Sequence, residues 1–346
     1  MKITDNIKLL SNLHGVSGCE QTVADEVKKI FSQYCDECSI DAMGNVIGIK
    51  KSKNPHGKVM IEAHMDEVGL IITDIDEKGF LHFSAIGGID ARIMLAQEVI
   101  VHGKSRLTGI IGAKPPHILS AEERKKTVPK DKLYIDTGFS ADEIKKLVKV
   151  GDTATMKNKT LFMLDGMIST KAQDDRTSVS AIMDVLHQLK DVELPFDLYA
   201  VAAVQEEVGL RGAGCAAYSI NPDFAIAIDV CHGTSPDAKD NTFSTGGGAV
   251  ISKGPNIHPV LVEAVINVMK IKGIDYSIDI DGGDTGTDAA AIQIANRGVP
   301  TVLFSLPLKY MHTPIETVSE KDVQSTANAI AEFLKSVKRV GDVICY

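Results

Sequence analysis

The chain has 346 residues, of which 44% are hydrophobic, and a formal net charge of -9 at pH 7. This length is sufficient for a large core and more than one structural unit. The acidic balance, without a lysine and arginine stripe, argues against nucleic acid as a partner, and no apolar run approaches the roughly 20 residues that span a membrane.

The N-terminal part of the chain is predicted to contain two helices within residues 1–31, followed by two short strands around Gly44 and Asn45. The first helix, MKITDNIKLLSNL, has acidic and polar residues inside its apolar pattern. A signal peptide lacks such residues, so we expect a cytoplasmic location. The apolar run KVMIEAHMDEVG then predicts a buried strand that carries His64 and Asp66.

The middle of the chain has a different pattern, with short β-like runs broken by glycines. Such runs at near-regular spacing predict a small β-barrel over residues 69–163, inserted into a domain formed by residues 1–68 and 164–346. Ser140 is a plausible N-cap for the helix predicted in this region. The polar, proline-bounded segment 115–132 is predicted to be an exposed, mobile loop.

The last part of the chain alternates helical patterns with buried strands, which predicts an α/β fold, a helix–sheet–helix sandwich. The predicted strands are FDLYAVAAVQEE, DFAIAIDV and VPTVLFSLPL. The predicted helices are DDRTSVSAIMDVLHQLK, HPVLVEAVINVMKIKG, GTDAAAIQIANRG and a closing helix that begins after Ser319.

Histidines and carboxylates stand at the ends of these strands, where an open α/β sheet keeps its ligand crevice. They are His64 and Asp66, Asp174 and Asp175 before a helix, Glu206 and Glu207, Asp229, and His312. Two imidazoles and at least three carboxylates suit Zn²⁺, Co²⁺ or Mn²⁺, and one carboxylate can bridge two ions. Such a pair of ions lowers the pKa of a bridging water, and a carboxylate that is not a ligand can take its proton.

Other interpretations of single residues stay open at this stage. His64 could be a core histidine, although the spacing to Asp66 weakens that interpretation. Asp174 and Asp175 could be only the N-cap and first turn of a helix. Thr287 and Asp288 could line the site or merely cap a turn. His258 could contact substrate or a neighbouring subunit, and a packing role is at least as plausible.

Six strings, in this order, resemble the tetrahedral-aminopeptidase family of dinuclear metallo-aminopeptidases: EAHMDEVG, KAQDDR, VQEEVGLRGA, AIDV, GDTGTDA and YMHTP. The family includes glutamyl aminopeptidases, and some members are labelled endoglucanases. The resemblance covers essentially the whole chain, including KPPHILSAEER in the inserted domain. Two positions depart from the family pattern: Gln173 stands where an apolar residue is usual, and Lys309 where an arginine is expected.

The resemblance implies a role for each of seven residues. Five would hold two divalent ions, Zn²⁺ or Co²⁺ with Mn²⁺ as a further option: His64 and Asp229 on the first ion, Glu207 and His312 on the second, and Asp174 between both. Glu206 would be the general base, and Asp66 would orient the site. The sandwich would be of the zinc-peptidase type, and the barrel would be a PDZ-like dimerisation domain in a tetrahedral dodecamer.

These observations predict a metal-dependent aminopeptidase that removes N-terminal residues from peptides through a hydroxide bridging two metal ions. Its expected partners are peptide substrates and other copies of the chain. Within the same fold, a carboxypeptidase, an aminoacylase or a dipeptidase is the alternative. A glycanase would need a carboxylate pair free of metal. A non-catalytic assembly protein would be expected to lack ligands, yet every ligand position and the base are present.

Overall fold

The computed structural model describes residues 2–236, 238 and 241–345. The chain begins with two amphipathic helices and three strands: α1 (Ile3–Ser11), α2 (Gln21–Phe31), β1 (Glu37–Ile40), β2 (Val46–Lys50) and β3 (Lys58–His64). Strand β3 is buried from Val59 to its end, as its unbroken apolar sequence predicts.

A closed six-stranded barrel follows, with two short helices. Its elements are β4 (Gly69–Ile75), β5 (Leu81–Ile86), α3 (Ala91–Met94), β6 (Glu98–His102), β7 (Arg106–Gly112), β8 (Tyr134–Asp136), α4 (Ala141–Leu147) and β9 (Thr153–Met156). The barrel has its own apolar core, separate from that of the sandwich. Ser140 caps α4 through a capping box with Glu143, as predicted. Most of the segment 115–132 is exposed and contains short 3-10 turns.

The remaining chain returns to alternating strands and helices. These are β10 (Leu161–Phe162), β11 (Met167–Thr170), α5 (Gln173–Leu189), β12 (Asp197–Ala203), α6 (Arg211–Ile220), β13 (Phe224–His232), β14 (Ala249–Lys253), α7 (Pro259–Lys272), β15 (Tyr276–Ile280), α8 (Asp288–Gln293), β16 (Thr301–Leu308), β17 (Glu316–Ser319) and α9 (Glu320–Ser336). Helix α7 ends at Gly273, which adopts the left-handed conformation of a C-cap.

The main sheet has eight strands in the order β1-β2-β12-β3-β13-β16-β14-β15. Its centre, β12-β3-β13-β16, is parallel, and antiparallel strands adjoin it on both sides. Helices α5 and α9 pack on one face, whereas α6 and α8 pack against each other and the same central strands. A small sheet, β10-β11-β17, lies beside the sandwich. The predicted α/β sandwich with an inserted barrel is thereby confirmed.

The register of the sheet explains where the polar residues gather. Ala203, the last residue of β12, pairs with His64, the last residue of β3, so these parallel strands end level with each other. Asp229 of β13 and the end of β16 lie on the same side of the molecule because all four central strands run in one direction. Within the described residues, no helix combines the length and the apolar character that crossing a membrane requires.

Candidate metal centre and active site

The predicted site residues lie on five segments that meet at the carboxyl edge of the sheet. His64 ends β3 and Asp66 follows it, Glu206 and Glu207 follow β12, and Asp229 lies inside β13. Asp174 opens α5, and His312 lies in the connection from β16 to β17. The structure brings all seven together, although their sequence separations exceed one hundred residues for several pairs.

Two groups of possible metal ligands share one carboxylate. His64, Asp174 and Asp229 form the first group, and Asp174, Glu207 and His312 form the second. Oδ1 of Asp174 lies 3.2 Å from Nε2 of His64, and its Oδ2 lies 3.2 Å from Nε2 of His312. One carboxylate facing both imidazoles with separate oxygens is the arrangement that a bridging ligand requires.

The two acidic neighbours after β12 point in different directions. Oε1 of Glu207 lies 3.2 Å from Nε2 of His312, whereas Oε2 of Glu206 lies 3.8 Å from Nε2 of His64. Glu206 also belongs to a third possible ligand group, with His64 and Glu207. However, the two groups that share Asp174 already use both histidines without it, which leaves Glu206 free for another role.

Both imidazoles are oriented by a partner on their second nitrogen. Nδ1 of His312 donates a hydrogen bond to the carbonyl oxygen of Gly88 in the barrel, 2.9 Å away, because a carbonyl can only accept. A Cβ at Gly88 would lie only 3.1 Å from this nitrogen, so glycine permits the close approach. Nδ1 of His64 lies 3.3 Å from Oδ1 of Asp66. Such partners leave Nε2 of each ring directed at the cluster as a ligand.

Asp66 holds the segment that carries the paired glutamates. Its carboxylate accepts hydrogen bonds from the backbone N–H groups of Glu206 (3.0 Å) and Glu207 (3.2 Å), and from the hydroxyl of Ser17 (2.6 Å). The side chain is fully buried. Asp66 therefore fixes the Glu206–Glu207 turn relative to His64.

Glu316 holds the other half of the site in the same way, and the sequence analysis missed it. Its buried carboxylate accepts hydrogen bonds from the backbone N–H groups of Gln173 (2.7 Å), Asp174 (3.2 Å) and His312 (2.7 Å). The side-chain amide of Gln173 donates to the carbonyl of Ile168, which explains a polar residue at this buried position. Glu316 therefore ties the shared carboxylate to the second histidine.

The pKa shifts within the cluster indicate that its carboxylates are ionised only where positive charge lies close to them. Burial raises the pKa of Glu206 to about 8 and raises the pKa of Asp229 well above its usual range. Burial alone would also raise the pKa of Asp174, but the imidazoles of His312 and His64 outweigh it and hold that pKa low. Burial opposes protonation of His312, yet the carboxylates of Asp174 and Glu207 raise its pKa to about 11.

Three more carboxylates lie buried behind this cluster: Glu62, Asp175 and Asp288. Glu62 and Asp288 lie beside each other, and Asp175 lies beside Ser178. Burial raises the pKa of Glu62 to about 8, and it raises the pKa values of Asp175 and Asp288 well above the usual range. An uncompensated group of buried acids is costly. A pair of divalent ions fits this donor set, and its charge would lower the cost for the whole edge.

The turns that present the site residues include non-glycine residues in the left-handed region. Ala172 (φ 52°) precedes Asp174, Gln205 (φ 58°) precedes Glu206, and His312 itself has φ 58°. Each such residue costs on the order of 1–3 kcal/mol when the conformation is strained, and such conformations cluster at functional sites. The surrounding hydrogen bonds therefore maintain a backbone that local preferences disfavour.

A cavity of about 380 Å³ opens from the cluster along the sheet. Thr287 lines it, whereas Asp288 lies buried next to Glu62, so the turn before α8 contributes to the cavity wall. His258 lies outside this cavity, at the N-cap of α7, where its Nδ1 accepts from the backbone of Leu261. The capping interpretation of His258 agrees with that position.

Comparison with known proteins gives one family. The sequence profile of the M42 glutamyl aminopeptidases matches residues 44–328. The chain is 34% identical to a lysyl aminopeptidase of Pyrococcus furiosus over 330 residues, which cover 94% of each protein.

Two solved structures are similar over nearly their whole length. The aminopeptidase APDkam598 of Desulfurococcus kamchatkensis has 35% identity and a TM-score of 0.92 over 99% of this chain and 97% of that one. The TET1 peptidase of Pyrococcus horikoshii, described as able to assemble into a tetrahedron or a large octahedral shell, has 33% identity and a TM-score of 0.86 over 97% and 100%. The family predicted from the motifs is thus confirmed, and the chain belongs to the M42 glutamyl aminopeptidase family.

Proposed function

We propose that the chain is a dinuclear metallo-aminopeptidase that removes N-terminal residues from peptides. The observation that carries the proposal is the shared carboxylate, Asp174, whose two oxygens face two separate groups of ligands. His64 and Asp229 would hold one ion, Glu207 and His312 the other. The donor set admits Zn²⁺, Co²⁺ and Mn²⁺. When bound, two such ions would polarise the peptide carbonyl and make a water molecule acidic enough to attack it.

Glu206 supplies proton transfer in this proposal. Its carboxylate lines the cavity at 3.8 Å from His64 and is not needed to complete either ligand group. It would take the proton of the attacking water and deliver it to the leaving amine. Burial raises the pKa of its carboxylate, and divalent ions nearby would oppose that shift and keep the group ionised until it takes the proton.

The rival activities differ in the substrate group that they require. A carboxypeptidase or an aminoacylase acts without a free N-terminus, and a dipeptidase does not accept longer peptides. The glycanase interpretation requires two carboxylates free to act as acid and nucleophile or base. Here Asp174, Glu207 and Asp229 all lie within ligand groups, which disfavours it.

The proposal is tested with free and N-acetylated peptides of several lengths, in the presence of Zn²⁺, Co²⁺ or Mn²⁺. We expect hydrolysis of free peptides alone, complete loss with a chelator and recovery with metal. Glu206→Gln should lower kcat by about 10²- to 10⁴-fold while both ions stay bound. The exposed Glu122→Gln is the control and should keep full activity. Equal cleavage of acetylated peptides, or a fully active Glu206→Gln, would refute the assignment.

We also propose that the chain assembles with itself, as the TET1 peptidase of Pyrococcus horikoshii does. Light scattering after size-exclusion chromatography measures the number of subunits. A monomer at micromolar concentration would contradict the predicted dodecamer and the dimerising role of the barrel. The cytoplasmic location and the identity of the native metal remain predictions.

A further inference from the structure

One face of the sheet carries polar side chains outward from the metal centre to the sheet edge. Asp229 of β13 pairs with Ser305 of β16, and Ser305 pairs with Val250 of β14. Two residues after Val250, Ser252 pairs with Asp279 of β15. Because paired residues and residues two apart share a face, these side chains lie on the same face across four strands.

The two serines in this row are almost fully buried, and their hydroxyls are not used by any other described residue. Ser252 and Ser305 are each only 3% exposed, and both line the cavity. Neither hydroxyl has a hydrogen-bond partner among the residues that the structure describes, and neither oxygen is among the fully enclosed unpaired atoms, so both open onto the cavity. Together with Leu303, the two hydroxyls form a floor of mixed polarity, which suits a side chain with an apolar stem and a polar end.

The far wall of the cavity is acidic. Asp279 and Asp281 both line it, and no lysine or arginine does so among the described residues. Asp279 forms no ion pair with any described residue, and Asp281 accepts one hydrogen bond, from the backbone of Gly283. Lys253 follows Ser252 but lies on the opposite face, where it pairs with Glu263 at 2.5 Å.

The two bound ions of the proposed function would not neutralise this wall. Asp174, Glu206, Glu207 and Asp229 together carry as much negative charge as two divalent ions carry positive charge. Asp279 and Asp281 therefore remain without a compensating lysine or arginine among the described residues that line the cavity. Asp279 lies three strand spacings across the sheet and two residues along it from the ligand Asp229, roughly 16 Å between Cα atoms. That length accommodates a long side chain that extends from a substrate residue bound at the metals.

From this geometry we infer that the cavity between the metal centre and β15 binds the side chain of the substrate's N-terminal residue, and that Asp279 selects lysine or arginine there. The inference rests on the proposed aminopeptidase function. The four-carbon stem of lysine would cross the floor formed by Leu303 and the two serines. The ammonium or guanidinium group would reach the carboxylate of Asp279, with Asp281 adding to the negative potential.

The test compares lysyl and norleucyl amide substrates, which have the same α-amino group and nearly the same side-chain length. Only the terminal charge differs, so their ratio of kcat/KM isolates recognition of that charge. We expect lysine to exceed norleucine by about tenfold or more at low salt, as a partly solvated ion pair allows. The ratio should fall as ionic strength rises. Equal rates, or a preference for norleucine, would overturn the inference.

Two variants test whether Asp279 causes the preference for lysine over norleucine. Asp279→Asn should lower the lysine to norleucine ratio by about tenfold while norleucine hydrolysis stays within about twofold of the parent. Asp284→Asn is the matched control, because Asp284 is exposed, follows on the same connection and does not line the cavity. It changes the net charge equally and should leave the ratio unchanged. A ratio that is unchanged in Asp279→Asn, or lowered equally in Asp284→Asn, would overturn the assignment.

A binding measurement separates this inference from the proposed function. Calorimetry with Glu206→Gln, loaded with Zn²⁺, compares the dipeptides Lys-Ala and Nle-Ala. Tighter binding of Lys-Ala, weakened in the double variant with Asp279→Asn, supports the recognition of a basic residue whatever the turnover. If no amide is hydrolysed by the parent protein, the proposed function fails, whereas equal binding of the two dipeptides refutes the inference alone.

Discussion

The sandwich and the barrel of this chain place their charges in opposite ways. At the carboxyl edge of the sandwich, acidic side chains are buried close together. In the barrel, the pairs Glu98–Lys157 and Asp90–Arg92 are mostly exposed, and the core is apolar. Exposed pairs contribute little to stability, whereas grouped buried acids are destabilising without compensating charge. The comparison indicates that the acidic edge of the sandwich lowers its stability, as functional sites often do, while the barrel has the charge distribution of a structural scaffold.

The two regions nevertheless meet at the site. The carbonyl of Gly88 in the barrel accepts the hydrogen bond from His312. On another side of the junction, the ring of His14 stacks on that of His102, with centroids 3.5 Å apart. The separation of roles is therefore testable by variants that damage one region and leave the other intact.

The largest effect is expected from the carboxylate that the two ligand groups share. Asp174→Asn removes one oxygen and the negative charge that both imidazoles face, so neither ion would be held normally. We expect activity to fall by about a thousandfold or more, as for other losses of a central catalytic group. Elemental analysis should show fewer than two ions per chain. Asp136→Asn, in the barrel, should retain both ions and full activity; a metal-loaded Asp174→Asn would contradict the bridging role.

The barrel should respond in its stability and not in its chemistry. Leu81 is fully buried in the barrel core, and Leu81→Ala removes that packing. Large-to-small changes at such positions cost about 2–5 kcal/mol of unfolding free energy. Denaturant unfolding measures the loss, and metal content should stay at the parent level. Loss of metal in this variant would show that the two regions are not independent. Tyr218→Ala, at an exposed position of α6, is the control for stability.

Glu316 tests whether hydrogen bonds to the backbone set the metal geometry. Glu316→Gln preserves the size of the side chain but turns an amide NH₂ group toward one of the N–H donors at Asp174 or His312. Removal of such supporting partners lowers metal affinity by about 10- to 100-fold in other metal sites. Competition with a chelator measures that affinity, and the visible spectrum of the Co²⁺ form reports the ligand geometry. An unchanged spectrum and affinity would leave Glu316 a purely structural residue.

The site residues at strand ends could be predicted from the sequence, because their residue type and their position after an apolar run are both visible there. Glu206, Glu207 and Asp229 each close an apolar run, so their convergence followed from the direction of parallel strands. Glu62 gave a usable signal that was missed, because an acid in the middle of VMIEAH must be compensated when the strand is buried. Strand β14, next to the edge strand β15, was not predicted because a glycine run precedes only five residues of weak pattern.

Other residues could not be found in this way, because their roles depend on distant backbone. Arg176 is fully buried and donates to the carbonyls of Leu10, Leu13, Gly15 and Met65, and to the carboxylate of Glu67. Glu316 likewise receives N–H groups from segments about 140 residues away. The periodicity of apolar residues predicts which face of a helix or strand is buried. It does not predict which distant backbone groups a side chain will hydrogen-bond.

The smallest effect is expected at the junction between the two regions, as a dependence on pH. Burial lowers the pKa of His102 to about 3 and that of His14 to about 4; each is further affected by Glu67 and by cations that include Arg106 and Lys171. An unfolded histidine titrates near 6.5. Below that pH, these two histidines bind protons in the unfolded chain but stay neutral in the folded chain. This part of the stability is present above about pH 6.5 and decreases as the pH falls toward 4.

His102→Gln removes one of these groups and keeps a side chain that can hydrogen-bond the hydroxyl of Thr155, which lies 2.9 Å from Nε2. The melting temperature of the variant should therefore fall less steeply than that of the parent between pH 6.5 and 4, by a few degrees at most. His117→Gln, in the exposed barrel loop, should retain the parent slope. An equally steep fall in His102→Gln would contradict a contribution of this histidine to the acid sensitivity of the fold.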